Sequence, residues 1–124
     1  EIKYKYKYEG KMCCSPIIKD EILYYGGMMN NNLYTLDLKS REEKWKFKCQ
    51  GEDSEIMKPP IVDSTTAYLT TQGPRNSINE YLYAIDNQTG MQKWKFNLGY
   101  NSTQLIKLDS VLFSSLNKYF VIRF

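Results

Sequence analysis

Histidine is absent from this chain, which removes the commonest general base and the commonest metal-binding side chain from its chemistry. The cysteines, Cys13, Cys14 and Cys49, are odd in number and lack zinc-ligand spacing, so no metal site is expected. One bridge from the adjacent pair to Cys49 or three buried or free thiols would each satisfy the sequence, and the second is the simpler reading. Asp20, Asp63 and Asp109 follow equivalent strands, and recurrence in every repeat marks them as turn formers instead of a unique acid–base or calcium site. No catalytic, cofactor-binding or metal-binding residue is assigned.

Two further groups invite chemistry. Asn87-Gln-Thr and Asn101-Ser-Thr are acceptor triplets for N-glycosylation, so Asn87 and Asn101 are candidate modification sites if the chain enters a secretory pathway. Turn preference produces such triplets as readily. The run Lys3-Tyr4-Lys5-Tyr6-Lys7-Tyr8 has the basic and aromatic interleaving of a single-strand nucleic-acid groove. Its period of two is already explained by a half-buried strand, with Ile2, Tyr4, Tyr6 and Tyr8 on one face and the lysines on the other. The formal charge of +3 comes from lysines scattered singly along strands, so no nucleic-acid partner is expected.

The elements that must position these residues are strands. The chain has 124 residues, enough for one modest core and a single domain, and its 11 tyrosines add to a composition that favours sheet. No stretch sustains a helical apolar period for three turns, so the fold class expected is all-β. No signal peptide and no apolar run of bilayer length is present, so this segment is expected to make no direct membrane contact; an excised or mature ectodomain would read the same way.

An internal repeat organises the chain. Leu33 to Phe47, LYTLDLKSREEKWKF, aligns without a gap to Leu82 to Phe96, LYAIDNQTGMQKWKF. Asp37 matches Asp86, Trp45 matches Trp94 and Phe47 matches Phe96. SPIIKDEILYYGG precedes the first copy and PPIVDSTTAYLTTQG the second, giving four short strands to each unit. Gly90 can take a positive φ in the second turn; Arg41 stands there in the first, so either the turn differs or its backbone is strained. The segment Gly73 to Asn79 is longer than its counterpart and is expected to be an exposed loop.

The recurring pattern of LYALD, a TG turn and KW resembles the PQQ-like repeat, a blade unit of β-propellers. The resemblance implies antiparallel four-stranded propeller-type blades, incomplete or completed by oligomerisation, with Trp45 and Trp94 docking each blade on its neighbour. It divides the single domain 1–124 into units of about 11–50, 51–99 and 100–124, the last completed by strand 2–9. TQLIKLDS, VLFSSLN and KYFVIRF supply three strands of that unit, and Tyr6 and Tyr8 align with Trp45 and Phe47. Edge pairing of Tyr4, Tyr6 and Tyr8 with Tyr119 and Val121 is therefore expected, within one chain or between two. The adjacent Cys13 and Cys14 resemble the vicinal cysteines of some quinoprotein dehydrogenases, but a complete ring is needed to enclose their cofactor, so no cofactor is expected. The run from CCSPIIKDEILYYGG to KWKFNLGY resembles more specifically the luminal domain of unfolded-protein-stress receptor kinases. That resemblance implies a non-catalytic sensing and dimerising module in the ER lumen, with a protein partner and a homo-oligomer. A bacterial extracytoplasmic scaffold or a fragment of a quinone-dependent dehydrogenase fits the same repeats.

Overall fold

The computed structural model describes the backbone of residues 1–7, 11–12, 14–27, 30–50, 55–73, 80–99, 105–108, 111–115 and 119–123; side chains are described for these up to residue 98, apart from 27 and 30. Every regular element among the described residues is a strand. β1 (Ile17–Lys19), β2 (Ile22–Gly27), β3 (Asn30–Asp37) and β4 (Glu43–Lys48) form one antiparallel meander. β5 (Ile61–Val62), β6 (Thr66–Thr71), β7 (Glu80–Asp86) and β8 (Gln92–Gly99) repeat it. β9 (Leu105–Leu108), β10 (Val111–Ser115) and β11 (Tyr119–Arg123) form a third sheet in the order β11-β10-β9, with β9 beside β5. The fold is all-β, built of antiparallel propeller-type blades. Among the described residues no helix is long and apolar enough to cross a membrane.

Turn chemistry fixes each meander. Asp20 and Glu21 both take positive φ, 50° and 62°, between the paired residues Lys19 and Ile22, which is the two-residue hairpin geometry that matches strand twist. After β3, Asp37 Oδ1 accepts from the N–H groups of Lys39 (2.8 Å) and Ser40 (3.0 Å), and its C=O accepts from Arg41. After β7, Asp86 Oδ1 does the same for Gln88 (2.8 Å) and Thr89 (3.1 Å), and its C=O accepts from Gly90. The residue closing each turn is left-handed, Arg41 at 66° and Gly90 at 74°, so the turn keeps its shape in the first unit and Arg41 carries the strain. Asp63 caps the turn into β6 through the N–H groups of Thr65 and Thr66, as expected of a turn former. Asp109 lies outside the described residues, as does 74–79 of the long loop.

Register assigns the faces. Ile17–Tyr24–Thr35–Trp45 and Leu33–Phe47 are cross-strand rows on one face of the first sheet, while Ile18–Leu23–Leu36 and Tyr25–Tyr34–Lys46 lie on the other. In the second sheet Val62–Ala67–Ile85 and Leu69–Tyr83–Lys95 share one face, and Ile61–Tyr68–Ala84–Trp94 the opposite one. The main core lies between the sheets: Ile22, Tyr24, Leu33, Trp45 and Cys49 of the first unit pack with Ala67, Leu69, Tyr83 and Ile85 of the second. Ile56, wholly buried, fills the space beside Gly26, where a Cβ would sit 2.8 Å from its Cδ1. A second cluster, Tyr68, Leu82, Ala84 and Leu98, lies on the other face of the second sheet with Trp94 against it.

Of the strand expected over 2–9, the described part, residues 2–7, forms no strand within the single chain. Residues 1–7 carry no strand, and β11 takes its hydrogen-bonded neighbour from β10, so Tyr4 and Tyr6 do not pair with Tyr119 and Val121 here. Ile2, Tyr4 and Tyr6 stay about half or more exposed, which removes the apolar burial that an added strand needs. Tyr8 lies outside the described residues.

Candidate functional site

The residues singled out by type and spacing converge on the junction between the first two sheets. Trp45 is buried, and its Nε1–H donates to the backbone carbonyl of Asn87 at 2.9 Å, across the junction. Its side chain packs against Gly90, where a Cβ would come within 2.7 Å of the indole Cγ. Thr35 fixes the Trp45 backbone: its Oγ1 donates to the Trp45 carbonyl (2.6 Å) and accepts from the Trp45 backbone N–H (2.9 Å). These bonds sit at the bulge in the β3–β4 pairing. Tyr24 meets the indole edge-on at 6.0 Å, and Phe47 meets Tyr83 edge-on at 5.3 Å, so two aromatic pairs line one interface.

Asn87, a candidate glycan acceptor by its triplet, is part of this junction. Its side chain is 5% exposed and its Nδ2, the atom a glycan would occupy, donates to the Asp63 carbonyl at 2.7 Å. A sugar there would open the contact that holds Trp45. Asn101 lies outside the described residues.

Trp94 differs from its repeat mate. It is half-buried, tilted against Tyr68 at 6.2 Å, on the face opposite the main core. Lys44, Lys46 and Lys93 are exposed, as the alternating strands imply, although Lys93 Nζ reaches Thr66 Oγ1 at 2.6 Å. Lys95 is half-buried: its ammonium lies 4.0 Å over the Tyr81 ring and 2.5 Å from Gln50 Oε1. A lysine over tyrosine faces is held by the ring quadrupole, so this cation closes the rim of the junction.

The titrations follow the packing. Backbone donors of Ser40 and Lys39 lower the Asp37 carboxyl, and those of Gln88 and Thr89 lower Asp86, so both turns keep their carboxylates ionised well into acid. Cys14 Sγ lies 3.9 Å from the Gly26 carbonyl, and burial pushes the Cys49 thiol up to about 12. Burial likewise raises Tyr24 and Tyr83. A proton held more tightly by the folded chain stabilises it only while the unfolded thiol keeps its own, so this contribution is complete below the ordinary thiol value of 9.0 and is lost as pH rises towards about 12. The urea midpoint is therefore expected to fall above roughly pH 9, and Cys49→Ala to make the decline between roughly pH 9 and 10 shallower. An unchanged slope in that variant would show that Cys49 does not carry it. Cys13 lies outside the described residues, and among the described ones no group of three or more acidic, cysteine or histidine side chains could hold a metal ion.

Sequence reasoning placed the tryptophans at junctions but missed what receives them. It also missed that Arg41 receives a ring of its own: its guanidinium lies 3.9 Å over the Tyr4 ring and donates to the Tyr4 hydroxyl. Aligning Arg41 with Gly90 was the available signal, because the residue at that position faces whatever ring docks on the turn. Ile56 and the Asn87 carbonyl had no sequence signal, since both act through close approach of backbone and side chains far apart in the chain.

No family model and no curated protein matches this chain. Solved structures do. BamB from Moraxella catarrhalis is similar over 88% of this chain and 30% of its own, with a TM-score of 0.68 at 13% identity. A europium-containing methanol dehydrogenase is similar over 67% of this chain and 15% of its own, with a TM-score of 0.60 at 18% identity. The quinohemoprotein alcohol dehydrogenase ADHIIG from Pseudomonas putida HK5 is similar over 66% and 12%, with a TM-score of 0.58 at 20% identity. The chain spans less than a third of the length of each. At these identities the likenesses show the fold alone: successive antiparallel sheets of partial propeller-type blades.

Proposed function

We propose that this chain is a non-catalytic segment of a PQQ-like propeller that acts as an extracytoplasmic protein-interaction scaffold. The observation that carries the reading is the commitment of its polar residues to architecture. The carboxylates of Asp37, Asp63 and Asp86 each cap their own turn, and the Asn87 amide and the Trp45 indole bond across a junction. Such groups set sheets side by side and leave the loops and strand edges to meet a protein partner.

A fragment of a quinone-dependent dehydrogenase is the second reading, favoured by the two similar dehydrogenase structures. Titrating the chain with pyrroloquinoline quinone and calcium while following the quinone absorbance separates the two. The scaffold reading expects no saturable uptake; a stoichiometric bound chromophore would replace it with the dehydrogenase reading. The luminal stress-receptor reading has a specific obstacle. In a compartment that glycosylates Asn-Gln-Thr triplets, Asn87 would be modified at the very nitrogen that bonds Asp63. A bacterial extracytoplasmic location meets no such conflict.

A further inference from the structure

β4 ends the first sheet, with β3 as its hydrogen-bonded neighbour and, among the described residues, no strand on its other side. The direction of its backbone groups follows from the bonds they make. The Trp45 N–H and C=O turn inward to Thr35, and the Cys49 N–H just beyond the strand turns inward to the Asn31 carbonyl. At a period of two, the N–H and C=O groups of Lys46 and Lys48 therefore point out of the sheet. A strand edge left in this state is a template for another extended segment.

The same two residues carry the free charge. Lys46 and Lys48 are exposed, share one face with Tyr34 and Asn32, and make no hydrogen bond or ion pair. The other lysines of the two edge strands are engaged. Lys95, the repeat mate of Lys46, rests on Tyr81 and reaches Gln50 Oε1, Lys93 bonds Thr66, and Lys44 helps to lower the Asp37 carboxyl. Packing on a face does not close such an edge. The first sheet buries Leu69 and Tyr83 of the second, while Lys93 and Asn97 on the edge strand β8 stay exposed. By the same geometry, a sheet laid over the outer face of the first unit leaves the β4 edge open.

We propose that the edge of β4 is a docking site for an extended acidic segment of a partner protein, which adds as a further strand and sets carboxylates two residues apart against Lys46 and Lys48. Naming this edge and its acidic partner rests on the scaffold reading and sharpens it. Charge complementarity selects the occupant. A second copy presenting its own β4 or β8 would bring lysine against lysine, which opposes pairing across a ladder. Carboxylates alternating with uncharged residues instead put one negative row on the lysine face, since side chains two apart on a strand lie about 7 Å apart on the same side. The backbone of the added strand bonds the outward N–H and C=O groups, and the ion pairs decide which strand is taken.

The test is a titration of the nitrogen-labelled full chain with a capped peptide of alternating glutamate and threonine, followed by amide chemical shifts. Saturable shifts are expected, largest at the Lys46 and Lys48 amides, with slower exchange of both with solvent. Replacing both lysines together, Lys46→Gln with Lys48→Gln, leaves both cores untouched. It is expected to weaken binding about three- to tenfold, the scale of two exposed ion pairs. The same peptide N-methylated at every residue cannot add to a sheet and is expected to give no saturable shift. Equal binding of the N-methylated peptide would overturn the inference, because charge alone would then hold the ligand. So would a lack of saturable shifts, shifts centred away from β4, or an undiminished affinity in the double variant. An oligothymidylate of equal charge that displaces the peptide from Lys46 and Lys48 would replace strand addition with a general polyanion surface. Quinone uptake is read separately: it would remove the scaffold reading, whereas a missing peptide signal without it would remove this docking site alone.

Discussion

Trp45→Ala is expected to cost about 3–5 kcal/mol, the range for removing a large buried aromatic side chain. Several losses coincide at that position. The indole fills the space between Tyr24 and Gly90, and its removal strips the Asn87 carbonyl of its donor within a buried junction. Trp94→Ala is expected to cost clearly less, because that ring is half-buried against the smaller of the two cores. Urea unfolding of the two variants measures the difference. Equal losses would mean that Trp45 gains nothing from its place between the sheets.

Gly90→Ala should be nearly as damaging, at about 2–4 kcal/mol, for two additive reasons. The φ of 74° disfavours any L side chain, and the added methyl would lie 2.7–2.8 Å from three atoms of Trp45. Arg41→Ala is the control. It keeps a non-glycine residue at φ 66° but has only the exposed Tyr4 ring against it, so a change within about 0.5 kcal/mol is expected. If Gly90→Ala proves as mild as the control, the indole is not packed on the turn as described.

The repeat made much of this architecture legible before any coordinates. Asp37 and Asp86, the alternation in LYTLD and LYAID, and the aligned KWKF strands gave the meanders and their turns, because each is a local pattern of period two closed by a turn former, whereas the docking of the tryptophans came only from the resemblance to the PQQ-like repeat. The place of Asn87 in the junction was illegible for the opposite reason. Its triplet is local, but its burial depends on Asp63 and Trp45, which are distant in sequence. Residues 1–7 do not form a strand within the single chain because alternation records which face a segment could bury, whereas forming a strand also requires a free edge in the right place. The difference between Trp45 and Trp94 was equally invisible: the two copies read alike, and their surroundings do not.

The bond from Trp45 to Asn87 also sets an order of events as the chain folds. Pairing between β3 and β4 links residues about ten apart, as Thr35 with Trp45, while the indole reaches a carbonyl 42 positions onward. Short loops close first because their entropic cost is smaller. During synthesis the first meander can therefore form while its indole still faces water, and it stays so until the turn carrying Gly90 has left the ribosome. For that interval the Leu33, Trp45 and Phe47 face is uncovered apolar sheet, and the second meander shields it as well as packing on it.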